Sequence, residues 1–153
     1  EVNVRQFSRD SSFNAVTAEI PRLRKMGVKS LWVMPIQPIG VRERKGELGS
    51  YYAIRDYKGI NPEFGTLDDF KRLVATAHAH DMKVVLDWVA NHTAWDNAWV
   101  TQHPEWYQKN AQGRISGYVY DSGTSLEHWD DVVGLDCRRA CAGAVLGRRA
   151  YRA

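Results

Sequence analysis

Hydrophobic and polar residues alternate at the start of the chain and then change to a helical spacing. Val2 to Phe7 alternates apolar and polar positions, which predicts a β-strand. Ser11 and Ser12 offer N-cap oxygens for a helix that ends at Gly27, since glycine is common just past helix C-termini. The helix has one apolar face, formed by Val16, Ile20, Leu23 and Met26.

A second apolar run follows this helix and leads into a long polar loop. Ser30 to Met34 predicts a strand, which Pro35 ends because proline has no amide proton for a sheet. The loop covers about residues 37–65. Its charged segment Arg42–Glu47 is typical of a solvated excursion.

Another helix and another strand complete the regular portion of the pattern. Thr66 predicts an N-cap, and Asp68 and Asp69 complement the helix dipole in the first turn. Lys83 to Asp87 predicts a third strand. Strands that alternate with helices of crossover length indicate an α/β fold with parallel strands and helices packed outside. The apolar face of this helix consists of Phe70, Leu73, Val74 and Ala77.

The regular pattern ends after the third strand. Residues 91–136 are rich in tryptophan, glycine and aspartate, and predict an irregular inserted domain after the barrel-like residues 1–90. Residues 137–153 then change abruptly to alanine, arginine and glycine, with the first cysteines, Cys137 and Cys141. This change indicates a shifted reading frame or an erroneous join, with a genuine short basic tail as the alternative.

Charge and cysteine content exclude several classes of function. The net charge of +3 depends on the tail, because without its five arginines the chain has 16 basic against 18 acidic residues. The charge therefore gives no reason to expect nucleic-acid binding. Residues 1–136 contain no cysteine, which excludes a disulfide framework there, and no run reaches the roughly 18 apolar residues of a membrane span.

No targeting signal is visible at the start of the sequence. It opens at Glu1 with a predicted strand, not with a charged and then apolar leader, so no signal peptide is visible. An initiating methionine is also missing, which leads us to expect a lost upstream piece. The compartment stays unknown.

Polar residues of the types common in binding and catalytic sites directly follow the third predicted strand. Asp87, Asn91 and His92 form the pattern Asp-x-x-x-Asn-His, at the strand end where barrel enzymes build their sites. This pattern resembles the first conserved region of the alpha-amylase family, glycoside hydrolase family 13. Residues 49–66 and Leu31–Ile36 resemble the family's signature after its second strand and the second strand itself.

The resemblance, which extends in detail to bacterial alpha-amylases, implies a partial (β/α)₈ TIM barrel. The implied order is β-α-β-α-β, with a small inserted domain between the third strand and the third helix. A complete barrel of this type has about 250 residues, so the chain would hold about three of the eight strands.

The same resemblance implies substrate-binding roles for three residues. The ring of Tyr52 would cover the apolar face of the sugar whose bond is cut, and His92 would donate a hydrogen bond to a hydroxyl of that sugar. Asp87 would orient the site without being catalytic. The alternatives are a core tyrosine, a structural histidine and a plain structural salt bridge.

The resemblance also bears on a metal. Asn91 matches a position that supplies a calcium ligand in many members, and amide oxygens suit this hard cation. A further acidic ligand is expected in a later run, but Gly134 stands at the matching position. The missing carboxylate speaks against calcium binding.

The implied activity is that of a retaining glycosidase on α-1,4-glucans such as starch and malto-oligosaccharides. Such enzymes need a carboxylate nucleophile and a carboxylic acid about 5–5.5 Å apart, and in the family both come from later strands. The chain therefore has no catalytic residue of its own and is expected to be inactive alone. Alternatives are a neopullulanase, an α-glucosidase, a maltogenic amylase, a trehalose-forming relative, or a noncatalytic carbohydrate-binding piece.

Overall fold

The computed structural model describes residues 1–136 and Arg138. The chain forms two compact units, one from Glu1–Ile36 and Gly59–Trp88, the other from Gln37–Lys58 and the residues from Val89 onward. The predicted domains 1–90, 91–136 and 137–153 stay a prediction, and the tail lies outside the described residues except for Arg138. Among the described residues, no helix combines the length and the apolar character that crossing a bilayer requires.

The predicted strand Val2–Phe7 is wrong. The chain forms a single parallel bridge between Val2 and Val33 and then turns into the short helix α1 (Val4–Phe7). The backbone amide of Gln6 donates to the carbonyl of Asn3 at 3.1 Å, which closes this turn. Alternation over six residues carries little information, because one helical turn also buries a single side chain, here Val4.

The first helix predicted from the sequence is confirmed as α2 (Phe13–Lys25). The hydroxyl of Ser12 accepts a hydrogen bond from the amide of Ala15 at 3.2 Å, as an N-cap does. Gly27 has a φ of +92°, a conformation that glycine adopts easily, and it lies directly after the C-cap. The helix therefore begins and ends where its capping residues predict.

Two predicted strands are confirmed as a parallel pair. β1 (Ser30–Val33) pairs with β2 (Lys83–Leu86), with Val33 opposite Leu86. Between them, α3 (Leu67–Ala79) contacts both α2 and β2. The core of this first unit contains the fully buried side chains Phe13, Val16, Ile20, Val33, Phe64 and Leu73.

The second unit contains an antiparallel sheet that the sequence pattern did not predict. Its order is β3 (His92–Ala94), β5 (Leu126–Gly134) and β4 (Gly117–Asp121). A short helix, α4 (Trp99–Gln102), and a 3₁₀ turn at Pro104–Trp106 precede β4. The expectation that residues 91–136 are irregular is therefore wrong for these stretches of the segment.

The long polar loop contributes its first and larger portion, residues 37–58, to the second unit. Ile39, Ala53, Ala94 and Val132 form one buried cluster of this unit. The charged segment 42–47 is mostly exposed, as predicted for a solvated excursion, but Arg44 within it donates to the carbonyls of Gly40 and Ile39. The segment is therefore fastened to its own loop.

Candidate functional site

The predicted site residues divide between the two units. Asp87 follows β2 in the first unit, where it is half-buried and its amide donates to the carbonyl of Val33 at 2.9 Å. Tyr52, Asn91 and His92 belong to the second unit. Within that unit the structure brings Tyr52 and His92 into contact, although 40 positions separate them in the sequence.

Backbone hydrogen bonds of the loop position Tyr52. Its amide donates to the hydroxyl of Ser50 at 3.2 Å, and its carbonyl accepts from the amide of Ile54 at 3.1 Å. Ile54 in turn accepts from the amide of Ala94, the last residue of β3. Tyr52 is therefore held in a tight turn that is tied to the strand beginning at His92.

His92 is buried, with 4% of its surface exposed, and its Nε2 lies 3.2 Å from the carbonyl oxygen of Tyr52. A carbonyl only accepts hydrogen bonds, so Nε2 carries the proton and Nδ1 of the neutral ring has none. Within the described residues, Nδ1 is buried without a hydrogen-bond partner. Burial lowers the pKa of His92, against the opposing effects of the Tyr52 carbonyl and the charge of Asp131.

Aromatic side chains of the antiparallel sheet surround the His92 ring. Its centroid lies 5.4 Å from that of Tyr118 and 5.8 Å from that of Trp129, the latter edge to face. The Nε2 proton is engaged by Tyr52. A sugar hydroxyl that takes the predicted hydrogen bond from His92 would therefore replace the carbonyl of Tyr52 as acceptor.

Tyr57 is a structural contributor to the site that sequence reasoning missed. Its hydroxyl lies 2.7 Å from the carbonyl oxygen of Val89 and 2.9 Å from that of His92. Burial raises the pKa of Tyr57 well above its ordinary value, so the hydroxyl stays protonated and donates to these carbonyls. Its ring also stacks on Trp99 at 5.1 Å. The sequence feature that could have identified Tyr57 is its position in the segment 49–57, which resembles the family signature.

Gly40 and Asp96 hold the other end of the loop. The amide of Val41 donates to Oδ2 of Asp96 at 3.0 Å. A Cβ atom at Gly40 would lie 2.7 Å from Oδ1 of Asp96 and would also collide with Ala94. The close approach of the loop to the β3 segment therefore requires glycine at this position.

Asn91, the possible calcium ligand, and Gly134, where an acidic ligand is expected, both lie beside neutral side chains. Asn91 is exposed, and its Nδ2 donates to the hydroxyl of Tyr118 at 3.4 Å. A Cβ atom at Gly134 would lie 2.8 Å from both Oε1 of Gln108 and a ring carbon of Tyr118. Among the described residues, no group of three or more His, Cys, Asp or Glu side chains is placed to hold a metal ion.

Comparison with known proteins identifies the family. A model of the alpha amylase catalytic domain matches residues 8–116, well over half of the chain. The chain belongs to the alpha-amylase family, whose catalytic domain is a TIM barrel.

Solved and curated relatives agree with this assignment. The chain is similar to an alpha-amylase from Lactobacillus plantarum, with 46% identity and a TM-score of 0.82 over 92% of this chain and 32% of that one. It is 38% identical over 121 residues to an alpha-1,4-glucan:maltose-1-phosphate maltosyltransferase of Burkholderia pseudomallei, covering 70% of this chain and 11% of that protein.

A third relative is the alpha-amylase SusG of Bacteroides thetaiotaomicron, 41% identical over 91 residues. This match covers 58% of the present chain and 12% of the relative. The chain thus spans well under two thirds of the length of the relatives it matches.

Proposed function

We propose that this chain belongs to an α-glucan-active enzyme and supplies one side of its sugar-binding site. The contact between His92 Nε2 and the Tyr52 carbonyl carries this proposal, since it joins two separately predicted sugar-binding residues. Tyr52 offers an aromatic face to the apolar side of a pyranose. His92 offers its Nε2 proton to a hydroxyl once the Tyr52 carbonyl is displaced.

Asp87 has a positioning role in this proposal. It follows β2 directly, so its side chain projects from the carboxyl end of a parallel strand, where TIM barrels build their sites. We assign this carboxylate the orienting role that the family resemblance implies, toward a cationic side chain from another region of the complete enzyme. The first unit would then form the beginning of the barrel, with Val2, β1 and β2 as neighbouring strand positions.

The proposed reaction proceeds by double displacement with retention at an α-1,4 bond. A carboxylate nucleophile forms a glycosyl-enzyme intermediate, and a carboxylic acid protonates the leaving oxygen. The proposal assigns neither group to this chain. Water accepts the glycosyl group in a hydrolase and a sugar accepts it in a transferase; the relatives named as alpha-amylase and as maltosyltransferase keep both acceptors open.

The first test uses the purified chain with soluble starch and malto-oligosaccharides. We expect no release of reducing ends, because the proposal places both carboxyl groups of the reaction outside this chain. Release at an enzyme-like rate would contradict the proposal. One side of an incomplete site buries little of a ligand, so we expect no saturable heat of malto-oligosaccharide binding. A saturable heat without cleavage would favour the alternative, a noncatalytic carbohydrate-binding piece.

A further inference from the structure

We infer that the second unit closes without calcium, because Gln108 and Tyr118 fill the place where the family's acidic ligand is expected. Gly134 lies opposite His92 in the antiparallel pair of β3 and β5. A Cβ atom there would lie 2.8 Å from Oε1 and 2.9 Å from Cδ of Gln108, and 2.8 Å from a ring carbon of Tyr118. These distances leave no room for an aspartate side chain.

Direct hydrogen bonds join the backbone segments of Asn91, Gln108 and Gly134. The amide of Gln108 donates to the carbonyl of Gly134 at 2.9 Å, and its side-chain Nε2 donates to the carbonyl of Leu135 at 3.2 Å. The amide of Leu135 donates to the carbonyl of Asn91 at 2.9 Å. Direct hydrogen bonds therefore already tie Asn91, Gln108 and the end of β5 together.

Tyr118 makes this closure difficult to open. Its ring packs 5.4 Å from the rings of both His92 and Trp129, and its hydroxyl accepts from Nδ2 of Asn91. The end of the Gln108 side chain can swing away if it gives up its bond to Leu135. The Tyr118 ring has neighbours on two sides, so displacing it would cost its contacts with His92 and Trp129.

The chemistry of this place also disfavours a hard cation. Calcium takes six to eight oxygen ligands and favours carboxylates. The side chains of Asn91, Gln108 and Tyr118 are neutral, and Gly134 has none. The neighbouring Asp136 accepts from the amide of Arg138 through Oδ1 at 3.1 Å. We call Asn91, Gln108 and Tyr118 the metal-free clamp, because these neutral side chains hold this part of the second unit together without a metal ion.

The test compares thermal unfolding of the chain in EDTA and in excess calcium chloride, beside a direct calorimetric titration with Ca²⁺. A site in the native state would raise the Tm with the calcium concentration. We expect coincident melting curves and no saturable heat. A Tm that rises with calcium, together with saturable binding, would overturn the inference.

Substitutions distinguish the contribution of the clamp to stability from that of unrelated surface residues. Gln108→Ala should lower the Tm equally in EDTA and in calcium, because it removes the bond to Leu135. Gln112→Ala, at an exposed position of a turn, is the matched control and should leave the Tm unchanged. Recovery of Gln108→Ala by calcium would show that a metal site exists after all. None of these readouts involves a glucan, so they fail or succeed independently of the proposed function.

Discussion

The hydroxyl of Tyr57 fastens the turn that presents the candidate sugar-binding histidine. It reaches the carbonyls of Val89 and His92, which lie at the two ends of this turn, from a side chain that is 8% exposed. Its single proton lies within hydrogen-bond reach of both oxygens. Removing it would leave buried carbonyls without their donor, and an unsatisfied buried group costs about 1–3 kcal/mol.

Tyr57→Phe should therefore lower the free energy of unfolding by about 1–3 kcal/mol. Denaturant unfolding followed by tryptophan fluorescence measures this change. Tyr120→Phe is the matched control, because Tyr120 is 41% exposed, and it should be close to neutral. Equal effects of the two substitutions would show that the Tyr57 hydroxyl does not hold the turn.

His92 links the stability of the second unit to pH. Burial disfavours its charged form, and only the Tyr52 carbonyl and the charge of Asp131, itself paired with Lys45, act in the opposite direction. The unfolded chain takes up the proton near the ordinary histidine pKa of about 6.5. The folded chain does so only at lower pH, so stability is present above this pKa and falls as the pH drops below it.

The free energy of unfolding should therefore decrease between about pH 7 and pH 5, with a histidine contribution of at most about 1.4 kcal/mol per pH unit. His92→Gln should flatten this dependence, whatever it does to the absolute stability. His78→Gln, at an exposed position of α3, is expected to retain it. An unchanged slope in His92→Gln would argue against a buried neutral ring.

Sequence reasoning found the site residues that carry a motif and missed those that support them. Tyr52 and His92 were selected by resemblance, and their contact follows from the fold. Their proposed sugar contacts stay predictions. Gln108 was missed because its partners, Gly134 and Leu135, are about 26 residues away and no local pattern marks them. Support of this kind becomes visible only when distant segments are placed together.

Capping residues determine where the two long helices, α2 and α3, begin and end. In α3 the hydroxyl of Thr66 accepts from the amide of Asp69, and the Asp69 carboxylate accepts from the amide of Thr66. The hydrogen bond from the Thr66 hydroxyl is the main reason that the pKa of Asp69 falls to about 2. This reciprocal arrangement is a capping box, which satisfies amides that the helix itself cannot.

Thr66→Ala should lower stability by about 1 kcal/mol, the usual contribution of a threonine N-cap. Thr76→Ala changes the same residue type at a partly exposed position of α3, away from the cap, where the hydroxyl donates to the carbonyl of Arg72 one turn earlier. The change should be neutral or slightly stabilising because alanine favours helix. Chemical denaturation of both variants makes the comparison. A larger loss in Thr76→Ala would contradict the assignment of the cap.

Strands could be predicted where they are apolar and bounded by turn residues, as in β1 and β2. The antiparallel sheet could not, because β3 has three residues and its pairing with β5 joins positions about 40 residues apart. The register between β4 and β5 also shifts between Gly117 and Tyr118. Local patterns carry no information about such pairings, which depend on side chains that meet only in the folded unit.

Within the described residues, the parallel sheet of the first unit has one exposed face. Trp32 and Val85 are partners in the register of β1 and β2, and each is about half exposed. Parallel sheets normally have both faces covered. The chain also spans 32% of the similar alpha-amylase from Lactobacillus plantarum. The predicted sugar-binding residues are therefore best tested inside a complete barrel.

The most direct measurement replaces the matching segment of the Lactobacillus plantarum alpha-amylase with residues 1–136 of this chain and follows starch cleavage by the chimera. We expect the chimera to cleave starch, and Tyr52→Ala within it to lower kcat/KM at least tenfold, a loss of about 1.4 kcal/mol of transition-state stabilisation. Tyr120→Ala should leave the rate unchanged. An inactive but folded chimera, or equal rates for the two tyrosine variants, would contradict the account.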